Sequence, residues 1–180
     1  CAARVVVFTF LSVASLHPQK VVAYLLRVIA RLGPVRGVRF RIVGDGAQAG
    51  EYRALAARLG VNDQITWLGA LGRAAVRDEM RACDAFVLTS RHESFGVVYA
   101  EALACGKPVL ATRCGGPEAI VNDGNGLLVA VGDMDAIPWA LGTLVHRGRD
   151  YDPSAIRADF EARFASRAVA ARFAALYREL

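Results

Sequence analysis

Two glutamates, Glu93 and Glu101, stand eight positions apart in "RHESFGVVYAEALACGKPV", residues 91–109, with a Phe-Gly step between them. Carboxylates at such a spacing suit two kinds of chemistry. One is the acid and nucleophile of a glycoside hydrolase, which must flank a single glycosidic bond. The other is a pair of clamps on the two ends of one ligand. The pattern predicts a helix from Val97 to Ala104 or Cys105, stopped by Gly106 with Pro108 just beyond. The N–H groups of Phe95, Gly96, Val97 and Val98 then form an anion site at the helix start. Glu101 lies four residues into that helix, about 6 Å along its axis at roughly 1.5 Å per residue. Helical side chains lean toward the N-terminus, so its carboxylate reaches a hydroxyl beside a bound phosphate. Glu93 reaches the far side of the same phosphate. A pair set astride a phosphate does not flank one bond, and the arrangement favours a diphosphate with hydroxyl-rich groups at both ends. A sugar nucleotide has that shape.

Two more loops have suitable residues. In "GDGAQAG", Gly44 and Gly46 flank Asp45, where they either let the backbone approach a ligand or make an ordinary turn; the G-x-G-x-x-G pattern is broken by Ala49, with Gly50 following. Lys20, the only lysine in the first half of the chain, stands at the predicted start of the first helix. A cation there opposes the helix dipole, which a bound anion would offset.

The elements that must carry these loops alternate along the chain. "RVVVFTFLSV", "VRFRIVG", "QITWLG", "AFVLTS", "PVLAT" and "GLLVA" read as six strands. Between them "VVAYLLRVIARL", "EYRALAARLG" with Gly60 as C-cap, "AAVRDEMRACD", the helix after Gly96 and a short helix at "PEAIVND" supply crossovers. The rest, from Asp133 on, reads as helix interrupted near "HRGRDYDPS". Strands that are continuous apolar runs indicate a parallel sheet covered on both faces. The predicted fold is a doubly wound, Rossmann-like α/β domain of about six strands with a C-terminal helix. Its ligand loops lie at the carboxyl ends of the strands.

Composition agrees with one such domain over residues 1–180, 54% hydrophobic and 22% charged. The net charge of +5 comes almost wholly from arginines scattered along predicted helices, without the basic cluster and interleaved aromatics of a nucleic-acid surface. Cys1, Cys83, Cys105 and Cys114 form no C-x-x-C pair and no zinc spacing with the three histidines, so no metal is expected and a reduced, cytoplasmic chain fits. The opening "CAARVVVFTFLSVASL" imitates a signal peptide or lipoprotein start, but the strand pattern begins within it, which favours a fragment boundary. No apolar run approaches the roughly 20 residues of a bilayer span.

"TSRHESFGVVYAEALACGKPVLATRCGGPEAIVNDGNGLLV" closely resembles the donor-binding segment of retaining glycosyltransferases of the GT-B fold, family 4 or group 1. The resemblance extends to "VASLHPQK", "FRIVGDGAQ", "ITWLG" and the closing "RFASRAVAARFAALYREL", nearly the whole chain. It implies one half of a GT-B fold: the C-terminal domain that binds a UDP- or GDP-sugar, with the N-terminal acceptor domain absent. It implies that Glu93 contacts the transferred sugar and Glu101 the ribose. Phe95, Gly96, Val97 and Val98 would donate to the diphosphate and Lys20 would pair with its charge. Gly44 and Gly46 would line the cleft, the strand end at Trp67 and Leu68 would give backbone contacts to the base, and Gly115, Gly116 and Glu118 would shape the cleft. The resemblance implies no metal and no cofactor, polysaccharide-type glycosyl transfer with retention, and a cytoplasmic site with peripheral membrane association at the inner face compatible with it. Ser15 replaces an arginine that many such proteins carry, and Val21 a glycine; Arg91 and His92 are candidates to compensate. Two other readings share the fold: a stand-alone sugar-nucleotide binding module or subunit inactive without a separate acceptor domain, and a GT-B epimerase.

Overall fold

A computed structural model describes residues 7–17, 22–33 and 37–178. Lys20 and Val21 lie outside the described residues. Six strands form one parallel sheet: β1 (Phe8–Val13), β2 (Val38–Val43), β3 (Ile65–Gly69), β4 (Ala85–Leu88), β5 (Val109–Arg113) and β6 (Gly126–Ala130). Their order is β3-β2-β1-β4-β5-β6, the doubly wound order, with the reversal between β1 and β4. The helices are α1 (Val22–Leu32), α2 (Ala49–Arg58), α3 (Arg73–Ala82), α4 (Val97–Ala104), α5 (Ala136–Arg147), α6 (Pro153–Phe164) and α7 (Ser166–Leu176).

The sheet separates two apolar layers. On one face Phe10, Phe40, Leu25, Leu26, Ile29, Tyr52 and Leu141 bring α1, α2 and α5 onto the strands. On the other Leu11, Phe86, Met80, Leu103 and Ile156 do the same for α3, α4 and α6. β4 is buried at all four positions, as a central strand of a two-faced sheet must be. β2 (VRFRIV) alternates in burial as it does in sequence, with Arg39 exposed and Arg41 half-buried, where it donates to Glu79 of α3 through Nε (2.6 Å) and Nη2 (2.7 Å). That forked, part-buried pair pins α3 to the sheet and so fixes one wall of the cleft described below.

Three expectations change in detail. The helix expected at "PEAIVND" is only a 3₁₀ turn, Gly116–Ala119; Asn125 then folds the chain toward β6 by accepting from the Asn122 N–H at 2.8 Å. The closing helix is two helices, since Ala165 is extended at ψ 147°. Arg163 donates to the carbonyls of Ala119 and Ile120, and Phe164 lies edge-on to Phe95 at 6.0 Å, which fixes the end of α6 before the break. α7 has no buried residue and leaves Phe173, Leu176 and Tyr177 exposed. α2 starts at Ala49, two residues earlier than expected, and Gly60 follows its C-cap at φ 68°. No helix among the described residues is long and apolar enough to cross a membrane.

Candidate functional site

At the reversal in strand order the crossovers from β1 and β4 leave on opposite faces, which opens a crevice above their carboxyl ends. A cleft of about 910 Å³ runs from there between α3 and α4. Val13 at the end of β1, Leu71, Val76 and Met80 give it an apolar floor, while Arg73, Arg77 and Arg81 stand along α3 and Val97 and Glu101 face them from α4.

The start of α4 depends on Gly96, buried and left-handed at φ 85°, ψ 55°. That turn lets the chain enter the helix with no side chain capping it. Among the described residues the N–H groups of Phe95, Gly96, Val97 and Val98 meet no hydrogen-bond acceptor. Val97 is 60% exposed, so the end of the helix opens to solvent rather than into protein. An open, uncapped N-terminus with a positive dipole end is a seat for an anion. Glu101 is one turn behind it, exposed, on the cleft side.

Glu93 is buried in the loop that precedes α4. It is 8% exposed, and its Oε1 accepts from the Ser90 hydroxyl at 2.7 Å. Ser90 is itself held by Thr112, whose hydroxyl donates to the Ser90 carbonyl at 2.5 Å. The backbone around Glu93 pairs with Gly115 as a parallel bridge: its N–H donates to the Cys114 carbonyl (3.2 Å), and its carbonyl accepts from Gly116 (2.7 Å). This contact explains the Gly-Gly pair. A Cβ on Gly116 would run into the Phe95 carbonyl, and one on Gly115, at φ 116°, would sit 2.7 Å from the Glu93 carbonyl oxygen. Glu118 closes the turn by accepting from the N–H groups of Gly115 (3.0 Å) and Cys114 (3.2 Å). Beneath the loop, Tyr99 donates to the Leu88 carbonyl, and burial, with the Glu93 charge second, pushes its phenol well above the usual range. It is a fixed neutral donor.

The other predicted residues fall around this centre. Gly44 and Gly46 permit close approach, but to protein: a Cβ on either would strike the carbonyl of Ala14 or Leu16 in the loop after β1. Trp67 packs against the α1 and α5 face of the sheet and Leu68 against the opposite one; from that loop it is Leu71 and Arg73 that line the cleft. The buried indole Nε1 of Trp67 has no hydrogen-bond partner. Arg91 is exposed and tied to α1, donating to the Tyr24 hydroxyl at 3.2 Å with its Cζ 5.8 Å above the ring. His92 is exposed beside it. No cluster of three or more metal-ligating side chains occurs among the described residues. Ser90, Thr112, Arg73 and Arg77 are new to the site, since a serine beside a motif and an arginine on a helix give no signal of what they face.

The family model described as glycosyl transferases group 1 matches residues 7–158. The chain belongs to this glycosyltransferase family. Among its relatives, the lipopolysaccharide core biosynthesis glycosyltransferase LpsE of Rhizobium meliloti is 36% identical over 67% of this chain and 34% of its own length. D-inositol 3-phosphate glycosyltransferase 2 of Catenulispora acidiphila is 35% identical over 93% of the chain and 42% of its own length. Among solved structures, Anabaena HepE in complex with UDP and glucose superposes with TM-score 0.84 at 27% identity, over 97% of this chain and 49% of that one. The apo lipopolysaccharide outer core galactosyltransferase WaaB, at TM-score 0.86 and 24% identity over 99% and 51%, shares the fold. The glycosyltransferase chain described here therefore spans between a third and a half of the length of these proteins.

Proposed function

We propose that this chain is the donor-binding half of a retaining group 1 glycosyltransferase and takes a UDP- or GDP-sugar. The observation that carries the reading is the shared opening of an uncapped α4 N-terminus and the Glu101 carboxylate into one cleft at the strand-order reversal. In this reading the diphosphate sits on the N–H groups of Phe95 to Val98, Glu101 accepts from ribose hydroxyls, and Glu93 accepts from hydroxyls of the sugar. The Ser90 bond and the Gly115 bridge hold Glu93 in place before any ligand arrives. When the anomeric C–O bond breaks, the departing diphosphate gains negative charge, and prepositioned N–H donors stabilise it without reorganising. Lys20 is assigned to the same charge, with Arg91 as the nearby cation in place of the arginine missing at Ser15. No metal or cofactor enters the scheme, and the sugar nucleotide is a substrate.

The acceptor belongs to a separate domain. The chain's share of its relatives' length and the exposed apolar side chains of α7 both support that division. The site of action is the cytoplasm, the compartment expected from the cysteine pattern. Calorimetry with UDP and GDP tests the reading. Glu101→Gln should weaken the preferred ligand about tenfold to a hundredfold, the value of a hydrogen bond to a charged group. Unchanged affinity in a folded variant overturns the assignment.

A further inference from the structure

We propose that Arg73 and Arg77 of α3 read the base of the donor and select a base that has a carbonyl oxygen at the edge farthest from the sugar. The inference rests on the donor reading above. With the diphosphate on the start of α4 and the ribose at Glu101, the base must extend away from α4, and the opposite wall of the cleft is α3, whose N-terminal end lies like that of α4 at the carboxyl edge of the sheet. That wall offers Leu71 and Val76 as an apolar surface for a flat ring, with Arg73 and Arg77 one turn apart beside it.

The two guanidiniums are poorly accounted for by the fold alone. Arg73 begins α3, whose first turn has no acidic residue, so its charge opposes the helix dipole. Among the described residues it makes no hydrogen bond or ion pair. Arg77 has only its exposed neighbour Asp78, at 3.1 Å, and a pair so solvated leaves the side chain able to turn. Arg73, Arg77 and Arg81 repeat every fourth position on one face, a like-charge ladder that disfavours the isolated helix. Among the described residues that line the cleft Glu101 is the sole carboxylate, and the arginines suit a ligand rich in acceptors.

A guanidinium only donates. It matches O4 of uracil or the O6 and N7 pair of guanine, and it mismatches the amino groups that cytosine and adenine present at the same edge. The discrimination therefore falls within size-matched pairs, UDP against CDP and GDP against ADP.

Calorimetry of the wild-type chain and of Arg73→Gln, Arg77→Gln and Arg81→Gln with these four nucleotides tests it. In at least one pair the carbonyl-bearing member should bind about tenfold tighter, the low end for an arginine reading a base. That ratio should fall below about threefold in Arg73→Gln or Arg77→Gln and persist in Arg81→Gln, a further turn along α3 from Arg77. Circular dichroism confirms that each variant is folded. Equal binding within both pairs, or a ratio that survives both substitutions, overturns the role of the arginines and leaves the donor site standing. Absence of binding by all four nucleotides overturns the donor reading, and the base assignment with it.

Discussion

Gly96 sets both the position of the anion seat and the stability of the loop that holds Glu93, and Gly96→Ala separates these from an ordinary turn effect. Two costs add. The backbone sits at φ 85°, ψ 55°, where an L side chain costs roughly 1–2 kcal/mol. The new Cβ would also lie 2.5 Å from Cδ2 and 2.7 Å from Cε2 of Tyr99. That ring cannot swing aside: it is fully buried, its hydroxyl donates to Leu88 at 3.2 Å, and it meets Phe86 edge-on at 5.7 Å. Crowding of this kind adds about 1–3 kcal/mol. The sum, about 2–5 kcal/mol, corresponds to a fall in Tm of about 4–20 °C for a domain this size.

The two parts come apart in a double-mutant cycle with Tyr99→Leu, which removes the ring that the methyl strikes. In the leucine background Gly96→Ala should cost only the backbone share, so urea unfolding should show a coupling of about 1–3 kcal/mol between the two positions. The alanine variant should also lose UDP or GDP affinity more than its residual folded fraction explains, because the first N–H groups of α4 turn with the cap. A Gly96→Ala variant within about 0.5 kcal/mol of wild type, or additive costs in the cycle, would refute the geometry of the cap.

Other perturbations act on single contacts. Ser90→Ala removes the hydroxyl that donates to buried Glu93; it should cost about 1–3 kcal/mol in urea unfolding and weaken a UDP-sugar more than UDP itself. Equal losses for the two ligands would separate Glu93 from the sugar. Asp133 accepts from the N–H groups of Ala136 (2.7 Å) and Asp135 (3.0 Å) at the start of α5, and these bonds hold its carboxyl below the usual carboxylate range. A depressed folded-state value means that its stabilisation is present above the unfolded value and lost as pH falls through the folded one. Thermal melts of the wild type between pH 5 and roughly pH 2.5 should therefore fall more steeply than those of Asp133→Asn, and parallel curves would dismiss the cap.

The fold was largely readable because its signals are local and repeated. Most strands are short apolar runs, the helical crossovers have helical spacing, and Gly60 and Gly106 end helices at φ 68° and 69° as a left-handed stop requires. β6 matches its expected residues, and α4 starts at the expected Val97. Where the reading failed, the deciding contact came from elsewhere in the chain. The partner that lets Arg41 of β2 sit half-buried is Glu79, 38 residues away, and the break at Ala165 follows Arg163 and Phe164, which engage the loops after β5 and before α4.

The site divides along the same line. On the α4 side the helix start at Val97 and the place of Glu101 one turn along it were legible, since spacing along a helix is geometry. The α3 half was not. Trp67 and Leu68 were expected, from the resemblance, to offer backbone contacts to the base; their side chains pack on opposite faces of the sheet, while Leu71 and Arg73 of the following loop line the cleft. Likewise Gly44 and Gly46 give the same signature whether the backbone they admit is a ligand's or the loop after β1. Arg73 and Arg77 read as solvated helix charges until α4 is set across from them. A residue that acts from across a cleft is specified by the pairing of two crossovers, and that pairing follows from the strand order, in which α3 must pass over β2 and β1 to reach β4. The wall that α3 gives the cleft is thus a consequence of topology, and if the proposed donor reading holds, substitutions there change which nucleotide binds and leave the diphosphate contacts intact.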